Sequence, residues 1–436
     1  MDEVVGIALA GGQGMRARPL TLEGSGYLRS KATLCFAGRA LVEWQVLALQ
    51  DQGVDSFIVV ANGRENRYQI RDVLGYGENF GARVRYSRSR TDRHNTGSGE
   101  ATLSNIEHFD VRGLALVFPT DSLFEFDLGK LVREHRASGA VVSVTTVDRP
   151  ASNVVDKYGT MVTDGAGWIT RFVEKPSAAT LREMAPDPSR VPINAGMYLI
   201  DCGRLRALAR APEIAAMARD QLDWGNDLLP WLVAGGHPVR RAPITKVGDL
   251  GNPRDFLVTL ADALAGGYPH LLKRMEPPAA DNVWIHESSL RQRDPATGMT
   301  LAAKLSAGLV RVGPNVLIGR DVEIGPGVVI SNAYIGDGVD LHPRCRLHRV
   351  ACLDGAVVGP AAQVTDTHIG VMAQVESTMD TSTVLSGFTA LGAEVTVRAG
   401  ARLSGVSVYP GLTVPPAAGI ASGTTLTTQA DLLAWT

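Results

Sequence analysis

The residues best suited to chemistry stand near the start of the chain. In ALAGGQGMRARPLT (8–21), Gly11, Gly12 and Gly14 follow an apolar run, and Arg16 and Arg18 come straight after. A glycine turn after a strand exposes backbone N–H groups and lets phosphate oxygens approach closely. Two guanidiniums add charge-assisted hydrogen bonds to the same anion. GGQG fits neither the GxGxxG nor the GxxxxGK[ST] pattern, and a plain structural turn uses the same letters. Arg83, Arg85, Arg88, Arg90 and Arg93 precede TGSGE (96–100). They read as an anion lid, an allosteric site or an edge strand kept soluble by charge. His286, His342, His348 and His368 lie in the second half, where a histidine could serve acyl transfer as a general base. Solvent-facing or turn histidines are the simpler reading. Cys35, Cys202, Cys345 and Cys352 form no CxxC pair, so neither a zinc site nor a disulfide framework is indicated.

Elements must hold these residues. VVGIALA (4–10), SFIVVAN (56–62), LALVFPTD (114–121), AVVSVTTV (140–147) and GMYLID (196–201) are short, rich in Val and Ile, and end in turn or polar residues, as strands do. VEWQVLALQDQG (42–53) and LGKLVREHRASG (128–139) carry apolar residues at helical spacing and close on glycine. Residues 62–76 read as an amphipathic helix. The alternation predicts a mostly parallel α/β sheet, with ligands outside the carboxyl ends of the strands. The glycine loop and Asp121 both fall at such ends.

The second half has another rhythm. Val312, Ile318, Ile324 and Ile330 recur every six residues, and after a one-residue slip so do Ile335, Leu341, Leu347 and Leu353. The beat blurs after 360 and returns at Ile369-Gly370 and Leu391-Gly392. A period of six is that of a β-solenoid whose coils each hold several hexapeptides. The Pro- and Gly-rich stretch 266–282 marks a boundary, giving domains 1–265 and 283–436 with a linker between.

Net charge is −2, from 43 basic and 45 acidic residues, which lacks the basic footprint of a nucleic-acid binder. No stretch approaches the ~18 apolar residues of a membrane span. The start MDEVV carries acid where a signal peptide carries base. A cytoplasmic protein is expected. The flat flanks and open end of a solenoid predict a homo-oligomer.

GGQGMRARPLT, followed by SKATLCFAGRALVEWQ, resembles the opening of the sugar-1-phosphate nucleotidyltransferases, GGxGTRLxPLT and PKxLLPVxGKPLIxxQ. VFPTDSLFEFDL (117–128), TRFVEKP (170–176), INAGMYLID (193–201), DLLPWLV (227–233) and VGDLGNPRDF (247–256) resemble further motifs of that family in the same order. The likeness covers about the first 260 residues. Members close to the ADP-glucose and GDP-mannose pyrophosphorylases also carry a C-terminal left-handed β-helix. The resemblance therefore implies a Rossmann-like catalytic domain followed by a left-handed β-helix.

It also implies roles. The substrates would be an NTP and a sugar 1-phosphate or sugar-like cyclitol phosphate, with Mg²⁺ as cofactor. Arg16, Lys31 and Asp121 would be catalytic. Leu9, Gly11, Gly12, Gly14, Arg16 and Gly99 would bind the nucleotide. Gly159, Glu174, Lys175, Asn194 and Gly196 would bind the sugar phosphate, and Asp121 and Asp249 the metal. Each also has a plain structural use: an Asx turn at Asp121, a turn before Gly251 at Asp249, a surface salt bridge in the EKP tripeptide, a polar strand start at Asn194. Lys31 arrives late because 22–30 is longer than the family's gap. Ser30, Met15 and Ala17 replace proline, threonine and leucine, and Glu100 replaces a small residue. Two other functions are carried beside the enzyme: a non-catalytic regulatory subunit of the same family, and a bifunctional enzyme with acyl transfer in the solenoid.

Overall fold

In a computed structural model of the chain, the described residues are 4–433, apart from 13, 25–26, 88–95, 186, 276–277 and 417–419. They divide into two compact units. One comprises residues 4–12 and 42–247, the other 14–41 and 248–433.

The first unit is built on a nine-stranded sheet. Its strands are β1 (Val4–Ala10), β2 (Ser56–Ala61), β3 (Arg83–Tyr86), β4 (Leu114–Pro119), β5 (Val142–Arg149), β6 (Thr160–Thr163), β7 (Ile169–Val173), β8 (Val191–Asp201) and β9 (Val239–Pro243). The order is β7-β6-β8-β4-β1-β2-β3, with β5 on β8 and β9 on β5. Helices α1 (Leu41–Gln50), α2 (Arg64–Leu74) and α3 (Ser98–His108) connect the first four strands. Crossovers of this kind leave successive strands parallel, and β1 runs parallel to both β2 and β4. Helix α4 (Leu128–Ser138) starts where Asp127 accepts from the Lys130 N–H (2.8 Å) and stops at Gly139 in the left-handed region.

The expected strand 196–201 is the end of an eleven-residue strand, β8, which runs antiparallel to β4 and β5. Strands β6, β7 and β9 were not anticipated, because each is short and only partly apolar. Arg83–Tyr86 is an edge strand, as one of the readings had it, while Arg88, Arg90 and Arg93 lie outside the described residues.

The second unit contains a parallel β-helix with three flanks. Ile318, Ile335, Cys352, Ile369, Leu391 and Val408 stack along one flank. Ile324, Leu341, Val358, Val375, Val397 and Val414 stack along the second, and Ile330, Leu347, Val364, Leu385 and Leu403 along the third. Inward aliphatic ladders of this kind remove a continuous apolar seam from water. From Ile318 to Val375, partners in adjacent coils are 17 residues apart, so the one-residue slip recurs in each of those coils. For that reason Cys352, and not Leu353, occupies the ladder. Between Val375 and Val397 the step widens to 22, which is why the beat blurs there. The extra residues close on themselves through Thr378 N–H to Thr381 O (3.2 Å) and Thr383 N–H to Ser377 Oγ (3.1 Å). Among the described residues no helix is long and apolar enough to cross a membrane.

Candidate active site

In the first unit, β1 and β4 end side by side, with Leu9 opposite Pro119. The Thr120 N–H and hydroxyl both donate to the Leu9 carbonyl (3.1 and 3.2 Å). One sheet edge therefore presents Leu9, the exposed Gly11 and Gly12, and Asp121. A Cβ at Gly12 would meet nothing within 4 Å, so nothing in this unit requires glycine there. Close approach of a ligand to the backbone is a use that fits. Gln45 of α1 donates through Nε2 to the carbonyls of Pro119 (2.9 Å) and Ser122 (2.5 Å), on either side of Asp121. Sequence reading gave Gln45 no role. Its signal was the last residue of the stretch that resembles PLIxxQ.

A second cluster forms around Glu174. A Cβ on Gly159 would lie 2.4 Å from Glu174 Oε2, and a Cβ on Gly225 would lie 2.6 Å from the same atom. Two glycines thus make the floor on which the carboxylate rests. Burial pushes its pKa up; neighbouring Lys175 opposes this and Asp223 adds to it. Lys175 itself sits in the left-handed region (φ 46). The Asn194 side-chain carboxamide accepts at Oδ1 from Gly196 N–H (2.9 Å) and donates through Nδ2 to the Tyr198 hydroxyl (2.9 Å). Its own N–H donates to the Gly159 carbonyl (2.8 Å). Gly196 has φ 82 at an irregularity in the β8–β5 pairing, a conformation that glycine adopts without strain. Gly159, Glu174, Asn194 and Gly196 are thereby brought together.

The wall of this cluster is DWG (223–225), which sequence reading missed. Trp224 stacks on Tyr198 (4.6 Å between centroids) and donates to Thr102 Oγ1 (2.9 Å). Asp223 Oδ1 accepts from the N–H and hydroxyl of Ser98 (2.9 and 3.2 Å). Gly99 follows, and its N–H donates to the Leu222 carbonyl (2.8 Å). A Cβ there would stand 2.9 Å from that oxygen, so close backbone packing already demands glycine at 99.

In the second unit, Gly14 (φ 68) turns the chain into Met15–Ala17, and Thr21 Oγ1 donates back to the Gly14 carbonyl (2.9 Å). The long segment after it folds out and returns. Leu22 bridges Leu28 in antiparallel fashion, Glu23 N–H donates to Tyr27 O (2.9 Å), and Arg29 N–H donates to Thr21 O (3.0 Å). Arg29 and Glu23 form an ion pair (2.6 Å). The chain re-enters beside Thr21, and Lys31 starts the next turn, Lys31–Thr33. The additional residues are thus absorbed within the excursion. Asp249 Oδ1 accepts from Gly251 N–H (2.8 Å), and a Cβ on Gly251 would lie 3.6 Å from an Arg16 Nη2. Arg16 and the Asp249 turn are neighbours.

Carboxylates such as Asp121 and Asp249 are hard oxygen donors. They suit Mg²⁺, which binds through one or two carboxylates and otherwise through water and phosphate oxygens. Among the described residues no three His, Cys, Asp or Glu side chains group to hold a metal. His286 caps a short helix, His342 faces Asp340 (3.1 Å) and His348 faces Ser331 (2.9 Å). His368 departs from the solvent-facing expectation: it is buried, because other residues of the unit cover its flank.

Residues 5–265 match the family described as Nucleotidyl transferase, and residues 312–417 match the GMPPB C-terminal domain. The chain is 26% identical to the UTP–glucose-1-phosphate uridylyltransferase of Synechocystis, over 78% of this chain and 84% of that protein. It is 26% identical to the mannose-1-phosphate guanylyltransferase of Mycobacterium tuberculosis (80% and 84%) and 24% identical to the glucose-1-phosphate adenylyltransferase of Alteromonas mediterranea (81% and 84%). With more than half of its length matched, beginning at the strand that carries the glycine loop, the chain belongs to the nucleotidyl transferase family.

Proposed function

We propose that this enzyme transfers a nucleotidyl group from an NTP to a sugar 1-phosphate or sugar-like cyclitol phosphate, releasing pyrophosphate. The observation that carries the reading is the Glu174 cluster. A carboxylate held over two glycines, next to a lysine and an asparagine, suits a ligand bearing both hydroxyls and a phosphate. Glu174 accepts from sugar hydroxyls, Lys175 pairs with the sugar phosphate, and Asn194 with Gly196 and Gly159 lines the pocket.

In the reaction a phosphate oxygen of the sugar 1-phosphate attacks the α-phosphorus in line. The bond from that phosphorus to the β-phosphate bridging oxygen breaks, and pyrophosphate leaves with the electron pair. Positioning and charge neutralisation do most of the work. Backbone N–H groups at Gly11, Gly12 and Gly14 cradle the NTP phosphates, with Arg16 on the outer ones, Gly99 towards the nucleoside and Leu9 also against the nucleotide. Lys31 meets charge developing on the transferred phosphate. Asp121 and Asp249 are the residues that would hold Mg²⁺, which when bound neutralises phosphate charge. The enzyme is proposed to be a cytoplasmic homo-oligomer, with catalysis assigned to residues 1–265 and the β-helix beginning at 283 after a linker.

The test is a screen of pyrophosphate release with each NTP against a panel of sugar and cyclitol 1-phosphates in the presence of Mg²⁺. Turnover with at least one pair is expected. A folded protein that turns over none of them refutes the proposal.

A further inference from the structure

On a β-helix flank, residues alternate between the core and the outside. The residues just before the ladder members Ile335, Cys352, Ile369 and Leu391 therefore point outward: Tyr334, Ala351, His368 and Ala390. On another flank the outward positions Arg346, Gln363 and Arg402 are exposed and polar. Here all four are buried, at 3%, 0%, 3% and 0% exposure, and large residues alternate with small ones. Such a row is a set of notches, and the second unit fills it from outside the β-helix.

The filling comes from the two segments that carry Lys31 and Asp249. Cys35 Sγ lies 3.5 Å from the Tyr334 hydroxyl. Phe36 meets Phe256 edge-on (centroids 5.6 Å apart), and Phe256 meets His368 edge-on (5.8 Å). Both phenylalanines are buried. Phe36 follows the Lys31 turn, in which Leu34 N–H donates to Lys31 O (3.2 Å). Phe256 lies on helix α5 (Pro253–Asp262), where Thr259, three residues on, donates to the Asp249 carbonyl (3.1 Å). Arg254 of the same helix stacks over Phe388, a β-helix corner residue (4.9 Å).

We propose that Tyr334 and His368 are positioning residues for nucleotidyl transfer: the β-helix flank seats Phe36 and Phe256, and through them sets the placement of Lys31 and Asp249. The inference rests on the function proposed above. It gives the β-helix a part in catalysis without any β-helix side chain touching substrate.

The test uses the full-length enzyme with His368→Ala, His368→Phe and Phe388→Ala, read by steady-state kinetics and by hydrogen exchange of residues 31–36 and 253–262. Misplacement of a reacting group by about 1 Å costs up to ~10²-fold in rate. His368→Ala is expected to lower kcat roughly tenfold to a hundredfold with little change in either KM, and to speed exchange in both segments. His368→Phe, which keeps a ring against Phe256, should restore both. Wild-type kcat and wild-type exchange in folded His368→Ala overturn the proposal. If that variant does not fold, Phe388→Ala decides, because Phe388 is only partly buried. Faster exchange at 253–262 with reduced kcat supports the seat, and no change in either overturns it. Should the wild-type enzyme release no pyrophosphate in the screen, the proposed function falls, and the positioning role falls with it. The exchange data then report separately whether the flank seats the two segments.

Discussion

Gly225 offers a direct test of the Glu174 cluster. A methyl group added there would stand 2.6 Å from Glu174 Oε2, 2.9 Å from Cδ and 3.3 Å from Cγ. To reach ordinary contact the carboxylate must retreat by roughly 0.8 Å. Gly159 also lies against the carboxylate, where a Cβ would be 2.4 Å from the same oxygen. The displaced atoms are the end of a flexible side chain, and Gly225 lies in the helical turn Trp224–Leu228, so the fold itself should tolerate alanine. The site should not. A hydrogen bond to a charged group contributes about 1.5–3 kcal/mol, and about 1.4 kcal/mol corresponds to a factor of ten. Gly225→Ala should therefore lower kcat/KM for the sugar phosphate by roughly 10- to 150-fold, with KM for the NTP little changed. The assay is pyrophosphate release with sugar phosphate varied at saturating NTP, repeated in a Glu174→Ala background. There the alanine should cost little more, since its target is gone. A folded Gly225→Ala enzyme with wild-type kcat/KM, or one whose loss is undiminished without Glu174, refutes the reasoning.

Asp121→Asn and Asp249→Asn should each lower kcat by ~10²–10³, the usual cost of one lost preorganised charge contact, and near-normal turnover at saturating Mg²⁺ would remove the metal assignment. Lys31→Ala should lower kcat rather than raise KM alone, because the contact strengthens as charge develops; an unchanged kcat would mean that the 22–30 excursion leaves this lysine out of the site. His135, buried against Ser143 Oγ (2.8 Å), is pushed down by burial to about 4. The unfolded chain takes up this proton near pH 6.5 and the folded chain only near 4, so stability falls as pH drops across that window. His368, also held near 4 by burial, acts in the same direction. Denaturant melts of His135→Gln should show a shallower loss than the wild type between these pH values, and an identical slope would refute the assignment.

Local pattern determined much of this protein. Strand β1 and the glycine loop after it were legible because a buried parallel strand is apolar along its whole length and must end in a turn. The solenoid was legible because inward ladder positions recur along the chain itself. Gly159, Glu174, Asn194 and Gly196 could be named from motifs, since each stands within a few residues of others like it. What brings them together could not. Half of the floor under Glu174 comes from Gly225, and Trp224 closes on Tyr198, across separations that have no period to read. The long 22–30 segment looked like a displacement of Lys31. Only the pairing of Leu22 with Leu28 and of Arg29 with Thr21 shows that it folds back on itself. A six-residue beat likewise left the coil length open. Register between coils fixed it at 17 from Ile318 to Val375 and put Cys352 in the ladder. The outward row Tyr334, Ala351, His368 and Ala390 carried no local sign of being covered. Burial of an outward face depends on what packs against it, and here that is chain from hundreds of residues earlier, around Phe36, as well as helix α5. Sequence determines which residues can turn inward or bind; contacts between distant segments decide which of them meet.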